Sequence, residues 1–310
     1  MNRNLKIAGS MLELIGEIPL VRLNRIGKHT GCEILVKPEF LNPSGSMKDR
    51  VALRMVEEAE AAGRLTPGAR MVESTTGNTG AALAFVAAVK GYDFTAFVPA
   101  DVADGGRLAI MQAFGADVTP FAIDGELGDL AGRKRCQELE AGEGNVWWAR
   151  QFSNPHNVAV HQQATAREII EKTDGRLDAF AASVGSGGNL LGVGKALKEH
   201  DPNIRIIGVE PASWRALSSP PPVVQGLSGG TMVELQASGI VDEVITLDDA
   251  TAIHMAHRLA REEGMFCGIS SGANVAAALS VAERLGPGKR IVTCLCDSRD
   301  RYFFNEAYVT

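Results

Sequence analysis

Short apolar segments alternate with longer helical patterns along most of the chain, and this alternation is the feature that most restricts the fold. The pattern predicts strands at 92–98 and 117–121 on either side of a helix at 104–114. A second series begins near residue 158 with a helix that runs to residue 171, followed by a strand at 177–184. Strands separated by helices need crossover connections, which favour parallel pairing with helices on both faces of the sheet. The sequence therefore predicts an α/β fold of two three-layer lobes with mostly parallel sheets.

The two series also suggest how the chain divides between the lobes. We expect residues 42–152 to form a smaller, mobile α/β lobe, and residues 1–41 together with 153–310 to form a larger lobe. A chain of 310 residues is long enough to bury two cores. A stretch rich in serine and proline at 211–231 predicts a loop within the larger lobe. Ligands of such proteins tend to bind in the cleft between lobes.

Composition excludes several classes of function. The formal net charge of −6 argues against nucleic-acid and anionic-membrane partners, since both require a basic surface. The longest purely apolar run, at 81–89, is too short to cross a bilayer, and the N-terminal residues lack the apolar core of a signal peptide. Five cysteines are an odd number and suit a reducing compartment. We therefore expect a cytoplasmic protein.

The glycine-rich segment at 185–189, called the phosphate cup below, lies between a predicted strand and a predicted helix. Glycines let the backbone approach an anion, and the N-terminus of a helix offers free N–H groups. A tight strand-to-helix turn with no ligand remains an alternative. Two other phosphate motifs fail, because a dinucleotide site needs glycine where Leu190 stands and a Walker loop needs glycine at Asn189 and a hydroxyl at Ala196.

Lys48 follows a turn of small residues, Pro-Ser-Gly-Ser, at the start of a helix predicted near residue 46. A lysine enclosed in a cleft can have a lowered pKa and form a Schiff base with an aldehyde. By itself, the pattern fits an exposed surface lysine much better. The case for a reactive Lys48 therefore depends on the other motifs.

Two further polar turns open predicted helices, at 73–79 and 268–272. The first has more hydroxyl and amide side chains than one helix cap needs, and it could hold a carboxylate, although capping alone remains an alternative. Capping explains the second turn as well as function does. Cys294 and Cys296 lie in the last predicted strand, and we interpret both as buried structural thiols. No further cysteine pair or nearby histidine completes a metal site, so none is predicted.

Taken in order, these motifs are more specific than any one of them. The chain has Pro-Ser-Gly-Ser-x-Lys-Asp-Arg, Thr-x-Gly-Asn-Thr-Gly, Gln-Phe-Ser-Asn-Pro, Gly-Ser-Gly-Gly-Asn and Gly-Ile-Ser-Ser-Gly, preceded by Ile-Gly-Glu-Ile-Pro-Leu-Val-Arg-Leu. This series resembles the cysteine synthase / cystathionine β-synthase family over nearly the whole chain. The resemblance implies pyridoxal 5′-phosphate as the cofactor, a fold type II, tryptophan-synthase-β-like architecture and a homodimer.

The resemblance also implies a role for each matching residue. Lys48 would carry the cofactor as an internal aldimine and later act as the base, Asn78 would hydrogen-bond the 3′ oxygen, and Ser270 would face the pyridine nitrogen. The cofactor phosphate would lie in the cup formed by Gly185, Ser186, Gly187, Gly188 and Asn189. The substrate carboxylate would be bound by Thr75, Thr76, Thr79 and Gln151. Gly226 would lie on the opposite wall of the cleft.

The activity implied by the resemblance is β-replacement on an activated L-serine, O-acetylserine or similar, through an aminoacrylate intermediate. The product would be L-cysteine or another β-substituted alanine. A β-eliminase of the same fold, such as a serine/threonine dehydratase or cysteine desulfhydrase, is the alternative, and a catalytically silent binding protein is a third. Departures from the common pattern at Thr76, at 101–107 and after Gly226 leave the leaving group and the nucleophile open. Sulfide, thiosulfate, homocysteine, an amine or a hydroxyurea-like donor would all suit.

Overall fold

The computed structural model describes residues 7–75, 77–100, 105–122, 130–212 and 231–303. In this part of the chain the strands are β1 (Val21–Arg22), β2 (Glu33–Pro38), β3 (Arg70–Ser74), β4 (Asp93–Pro99), β5 (Asp117–Phe121), β6 (Val146–Trp148), β7 (Ala179–Ser183), β8 (Arg205–Pro211), β9 (Glu243–Leu247) and β10 (Arg290–Leu295). The α-helices are α1 (Lys48–Ala61), α2 (Asn78–Lys90), α3 (Gly105–Ala113), α4 (Ala131–Gly142), α5 (Pro155–Val160), α6 (Ala166–Lys172), α7 (Gly188–His200), α8 (Thr231–Ala237), α9 (Asp249–Glu263) and α10 (Ile269–Leu285).

The described strands form two sheets. The larger sheet has the order β1-β2-β10-β7-β8-β9, and the smaller has the order β5-β4-β3-β6. Every pair is parallel except β1 with β2. Because the carboxyl ends of parallel strands meet at one edge, the segments that follow β10, β7, β8 and β9 all leave the larger sheet on the same side. The predicted mostly parallel α/β architecture is confirmed.

Each sheet is covered by helices on both faces. In the smaller sheet, Met71 packs with Met55 of α1 and Val86 of α2, while Val72 faces Cys136 of α4 on the other side. In the larger sheet, one face packs on α9 and α10, and the other on α7 and its neighbours. Strand interiors buried on both faces explain why their sequences are continuous apolar runs rather than alternating ones.

The division of the sheets follows the two series in the sequence. Strands β3 to β6 lie between residues 70 and 148, and the strands of the larger sheet lie outside that range. The lobe boundaries at 42 and 152 stay a prediction. None of the helices in the described ranges has the length and hydrophobicity that crossing a membrane would require.

The structure corrects the expected elements between residues 154 and 172. The helix begins at Pro155 rather than near Val158, because the Asn154 side chain accepts a hydrogen bond from the backbone N–H of His156 at 3.1 Å and caps it. Its middle is a π-helix, His161–Thr165, a distortion that no periodicity signals. There α7 comes so close that a Cβ at Gly192 would lie 2.4 Å from the carbonyl oxygen of Val158.

Helix α8 was not predicted. It follows the loop expected at 211–231, most of which lies outside the described residues. Only seven residues long, the helix buries Leu235 against the core around α7, and one buried leucine gives little periodic signal.

Candidate active site

A cavity of about 330 Å³ opens at the carboxyl edge of the larger sheet. Its walls come from the turn after β7, from the ends of β8 and β9, and from Cys296 just after β10. The first residues of two helices, Lys48 of α1 and Asn78 of α2, complete it. The cavity is therefore built where the strand order of a parallel sheet favours ligand binding, and its volume is in the range of small-molecule sites.

Most residues predicted for the cofactor meet around this cavity. Those that line it are Lys48, Asn78, Gly185, Ser186, Gly187, Asn189 and Ser270. Gly188 does not line the cavity, because it packs against Asn157, whose Oδ1 would lie 2.3 Å from a Cβ at that position. The structure thus brings together motifs that lie more than 200 residues apart in the sequence.

The phosphate cup has the local geometry of an anion site. Gly187 has a φ of +88°, a conformation that favours glycine, and it leads directly into α7, whose first N–H groups are free of helical partners. Asn157 steadies the turn by donating to the Ser186 hydroxyl at 2.9 Å. The Oδ1 atom of Asn157 is buried and has no hydrogen-bond partner among the described residues. Free N–H groups and a helix dipole fit a phosphate ester here.

Lys48 is half-buried, with its side chain against the cavity. Its backbone N–H is capped by the Ser46 hydroxyl at 3.2 Å, whereas its amine makes no hydrogen bond or ion pair to another described residue. Burial lowers the pKa of the Lys48 amine, and the nearby Cys296 and Asp297 act in the opposite direction. A larger fraction of Lys48 is therefore neutral, which is the form that attacks an aldehyde.

Cys296 contradicts the prediction of a buried structural thiol. Cys294 is fully buried, but Cys296 is half-buried and lines the cavity. The reason is that β10 ends at Leu295, so strand alternation no longer sets the direction of the next side chain. Burial raises the pKa of the Cys296 thiol to about 11, Asp297 adds to that shift, and hydrogen bonds with serine hydroxyls oppose it. The thiol stays protonated at neutral pH.

Three residues predicted to bind a carboxylate, Thr75, Thr79 and Gln151, are buried and engaged in hydrogen bonds within the protein. The Thr79 hydroxyl donates to Gln151 Oε1 at 2.6 Å, and Gln151 Nε2 donates to the carbonyl oxygen of Ser74 at 3.2 Å. The Thr75 hydroxyl accepts from the N–H of Gly80 at 3.2 Å. None of these three predicted residues lines the cavity. Two other residues predicted for the substrate, Thr76 and Gly226, lie outside the described residues.

Glu73 supports this group of polar side chains, a role that was not predicted. One carboxylate oxygen accepts from the Gln151 N–H at 2.9 Å, and the other accepts from the Ser74 N–H at 2.9 Å and the Trp148 indole at 3.2 Å. Burial raises the pKa of Glu73 to about 7, although these hydrogen bonds act to lower it. An acidic residue at the end of an apolar strand, just before a polar turn, was the signal available in the sequence.

Asn78 is held by two charged residues that motif reasoning also missed, Asp297 and Arg301. Both follow the last strand of the larger sheet, whereas Asn78 begins the helix after the first strand of the smaller one. The available signal was the position of Asp297, two residues beyond the end of an apolar strand.

Comparison with known proteins identifies the family. Residues 11–297 match the profile described as pyridoxal-phosphate dependent enzyme. The chain belongs to this family. It is 39% identical to the cysteine synthase of Staphylococcus aureus (strain Mu50 / ATCC 700699) over 311 residues, which cover 98% of each protein.

Two solved structures show how far the likeness extends. The structure of an O-ureido-L-serine synthase superposes with a TM-score of 0.88 at 38% identity, covering 98% of this chain and 96% of the other. A hydrogen sulfide-producing enzyme from Fusobacterium nucleatum superposes with a TM-score of 0.85 at 36% identity, covering 96% and 100%. The chain is thus a pyridoxal-phosphate-dependent enzyme of the cysteine synthase type, as the resemblance implied. The roles of individual residues stay predictions.

Proposed function

We propose that this chain catalyses β-replacement on an activated L-serine, O-acetylserine or a similar ester, and forms L-cysteine or another β-substituted alanine. The observation that carries the proposal is the position of Lys48, a desolvated lysine that makes no salt bridge with a described residue and shares one cavity with the phosphate cup and Asn78. The likeness to the S. aureus cysteine synthase over nearly the full length supports the same reaction type.

The residues that line the cavity fit pyridoxal 5′-phosphate. The phosphate cup would hold the phosphate ester, Lys48 would bond to the aldehyde carbon, and Ser270 would offer a neutral hydroxyl to the pyridine nitrogen. Asn78 would form a hydrogen bond with the 3′ oxygen of the cofactor ring. When bound, the cofactor supplies the electron sink that stabilises negative charge at Cα of an amino acid.

The protein's own groups then move the proton and orient the substrate. Lys48, once released by the substrate amine, would take the Cα proton and return it after the nucleophile has added at Cβ. Thr75, Thr79 and Gln151 would bind the substrate carboxylate, with Thr76 beside them. Since the Thr79 hydroxyl and the Gln151 amide are bonded to each other, carboxylate binding would exchange that bond for bonds to the ligand.

Closure over the substrate would involve the smaller lobe. We propose that residues 42–152 move as that lobe and exclude water from the reacting atoms. Asn78 and Thr79 belong to α2 of the smaller lobe, whereas the phosphate cup follows β7 of the larger sheet. A rotation between the lobes would therefore change the distance from carboxylate site to phosphate site.

The test is a substrate panel with product analysis. O-acetylserine is mixed with the holoenzyme and, in separate reactions, sulfide, thiosulfate, homocysteine, an amine or hydroxyurea, and the products are identified by mass spectrometry. A β-substituted alanine that forms only when a nucleophile is present supports the proposal. A panel in which no nucleophile yields such a product would refute it.

A second candidate function is β-elimination, favoured by the likeness to the hydrogen sulfide-producing enzyme of F. nucleatum. Both functions use Lys48 and the phosphate cup, so the cavity does not separate them. Release of a keto acid and ammonia from serine, threonine or cysteine, in the absence of any added nucleophile, would select elimination. The same incubation without product would favour replacement.

Assembly and location are part of the proposal. We expect a homodimer in the cytoplasm, acting on a small amino acid and a small nucleophile, with neither a nucleic acid nor a membrane as partner. Light scattering coupled to size-exclusion chromatography should give twice the chain mass of 32.9 kDa. A mass equal to one chain at micromolar concentration would reject the dimer.

A further inference from the structure

The side-chain amide of Asn78 lies between two oppositely charged groups. Its Nδ2 donates to Oδ2 of Asp297 at 2.6 Å, and its Oδ1 accepts from Nη1 of Arg301 at 2.7 Å. The Tyr302 hydroxyl donates to the same Asp297 oxygen at 2.5 Å. Residues more than 200 positions apart in the chain are thus joined at one amide.

Both charged groups are withdrawn from solvent. Asp297 has no exposed surface, and Arg301 is only 3% exposed. Arg301 also lies under the turn that precedes Lys48, where a Cβ at Gly45 would come within 3.0 Å of its Nη2 atom. Hydrogen bonds to charged groups are stronger than neutral ones, and exclusion of water strengthens them further. The amide is therefore held more firmly than hydrogen bonds to neutral groups would hold it.

The charges also decide which way the amide faces. An asparagine amide offers two N–H donors and one oxygen, whereas a guanidinium can only donate and an ionised carboxylate can only accept. The reversed amide would set its N–H group against Arg301 and its oxygen against Asp297, so both contacts would be lost. With the oxygen and one N–H engaged, the second N–H is the donor left for the cavity that Asn78 lines.

We propose that Asp297 and Arg301 are positioning residues that direct this remaining N–H of Asn78 at an anionic oxygen of the ligand. Under the proposed function, on which this inference rests, that oxygen is the ring 3′ oxygen of pyridoxal 5′-phosphate. An N–H donor stabilises the anionic form of such an oxygen. Asp297 and Arg301 themselves need not touch the cofactor.

The test compares Asp297→Asn with Asn78→Ala and with the double variant. The visible absorbance of bound pyridoxal 5′-phosphate is followed against pH, and its dissociation constant is measured by equilibrium dialysis. Asp297→Asn and Asn78→Ala should each raise the pH midpoint of the absorbance change by about 0.4 to 1 unit, the effect of one net hydrogen bond. In the Asn78→Ala background, Asp297→Asn should give no further rise, because its upward effect passes through Asn78, and loss of its negative charge near Lys48 acts in the opposite direction.

Asp300→Asn is the matched control, since it removes an exposed carboxylate from the same segment. It should leave both the midpoint and the dissociation constant unchanged. Arg301→Lys keeps the positive charge but loses the fork geometry, and it should give a smaller shift than Arg301→Met. Thermal melting of the apo proteins shows whether each variant folds. If Asp297→Asn does not fold, Arg301→Lys and Arg301→Met are compared with Asn78→Ala in its place.

The outcomes separate this inference from the proposed function. A wild-type protein that binds no cofactor overturns the proposed function, and this inference with it. A coloured wild-type protein whose Asp297 and Arg301 variants match it in both measurements overturns the positioning role alone. A full additional shift from Asp297→Asn in the Asn78→Ala background would also overturn it, because Asp297 would then act independently of Asn78.

Discussion

Two lysines near the start of the chain occupy contrasting environments. Lys37, in β2, is fully buried, and its amine donates to Glu168 at 2.5 Å and to the carbonyl oxygen of Ile18 at 2.8 Å. Lys48, eleven residues later, is half-buried beside the cavity, and its amine has no ion-pair partner among the described residues. The same type of side chain is thus a structural cation at position 37 and a candidate nucleophile at position 48.

The difference lies in how the positive charge is balanced. Lys37 and Arg50 face two carboxylates, Glu39 and Glu168, so two cations meet two anions in the interior. Arg50 holds the pKa of Glu168 at about 2, against the opposing effect of burial. Around Lys48 desolvation dominates and lowers the pKa of the amine. Burial by itself therefore does not make a lysine reactive, whereas burial without a salt bridge favours the neutral, reactive amine.

Lys48→Ala gives the largest expected effect. Loss of the base should lower kcat by roughly 10³-fold or more in the β-replacement assay, while the protein remains folded, because no ion pair is broken. Steady-state kinetics and thermal melting measure the two effects. Lys28→Ala, at an exposed lysine, is the control and should keep wild-type kcat. A Lys48→Ala enzyme whose kcat is within tenfold of the wild-type value would show that Lys48 is not the catalytic base.

Lys37→Met should show the opposite behaviour. It leaves two buried carboxylates with one cation, so we expect the free energy of unfolding to fall by about 3–5 kcal/mol. Urea denaturation of the apo protein measures it. Lys289→Met, which removes a surface pair with Asp178, should cost far less, because exposed ion pairs contribute little. Equal decreases in the free energy of unfolding for the two variants would show that the buried ion pair of Lys37 matters no more to stability than a surface pair.

The buried carboxyl group of Glu73 extends the comparison to an acid. Its pKa is raised to about 7 from 4.5, so the folded state keeps a proton that the unfolded state loses as pH rises between these values. Stability contributed by Glu73 is complete below pH 4.5 and is lost as pH rises through about 7. The expected decrease in the free energy of unfolding over this range is roughly 3 kcal/mol.

Glu73→Gln should remove this pH dependence. Urea denaturation at pH values from 4 to 8 should show wild type losing stability relative to the variant across that range. Glu57→Gln, at an exposed glutamate, should follow wild type at every pH. A constant difference between wild type and Glu73→Gln would mean that Glu73 does not titrate in this window.

The smallest expected effect is a difference in amine reactivity. In the apo protein, acetic anhydride should modify Lys48 with a pH midpoint below the ordinary value of 10.5, because desolvation lowers its pKa. Lys37 should remain unmodified until the protein unfolds, because its amine is enclosed. Peptide mass spectrometry measures both sites in one sample. Modification of Lys37 in the folded protein to the same extent as Lys48 would contradict the difference between the two environments.

Local patterns in the sequence were enough to predict the sheets, and the family resemblance carried by the motifs implied that they share one cofactor site. Buried parallel strands read as apolar runs, and small-residue turns mark helix starts, so β4 and β7 were expected close to where they lie. The residues around the cavity follow because carboxyl ends of parallel strands share one edge. Fold and cofactor site are therefore encoded in short stretches.

Contacts between distant stretches could not be read in the same way. Asp297 and Arg301 gain their role only because α2 packs its first residue against the segment after β10, and no local pattern reports that. The expectation for Cys296 was wrong because one residue decides whether strand alternation continues. The pairing of Lys37 with Glu168 joins residues 131 positions apart, so sequence alone could not distinguish it from Lys48.

The most direct test is to locate the lysine that carries the cofactor. The holoenzyme is reduced with sodium borohydride, which fixes pyridoxal phosphate covalently to its lysine, and peptides are analysed by mass spectrometry. We expect the pyridoxyl group on the peptide containing Lys48, and none on Lys37. A pyridoxyl group on Lys37 or any other lysine, with Lys48 unmodified, would contradict the assignment of Lys48 as the reactive residue.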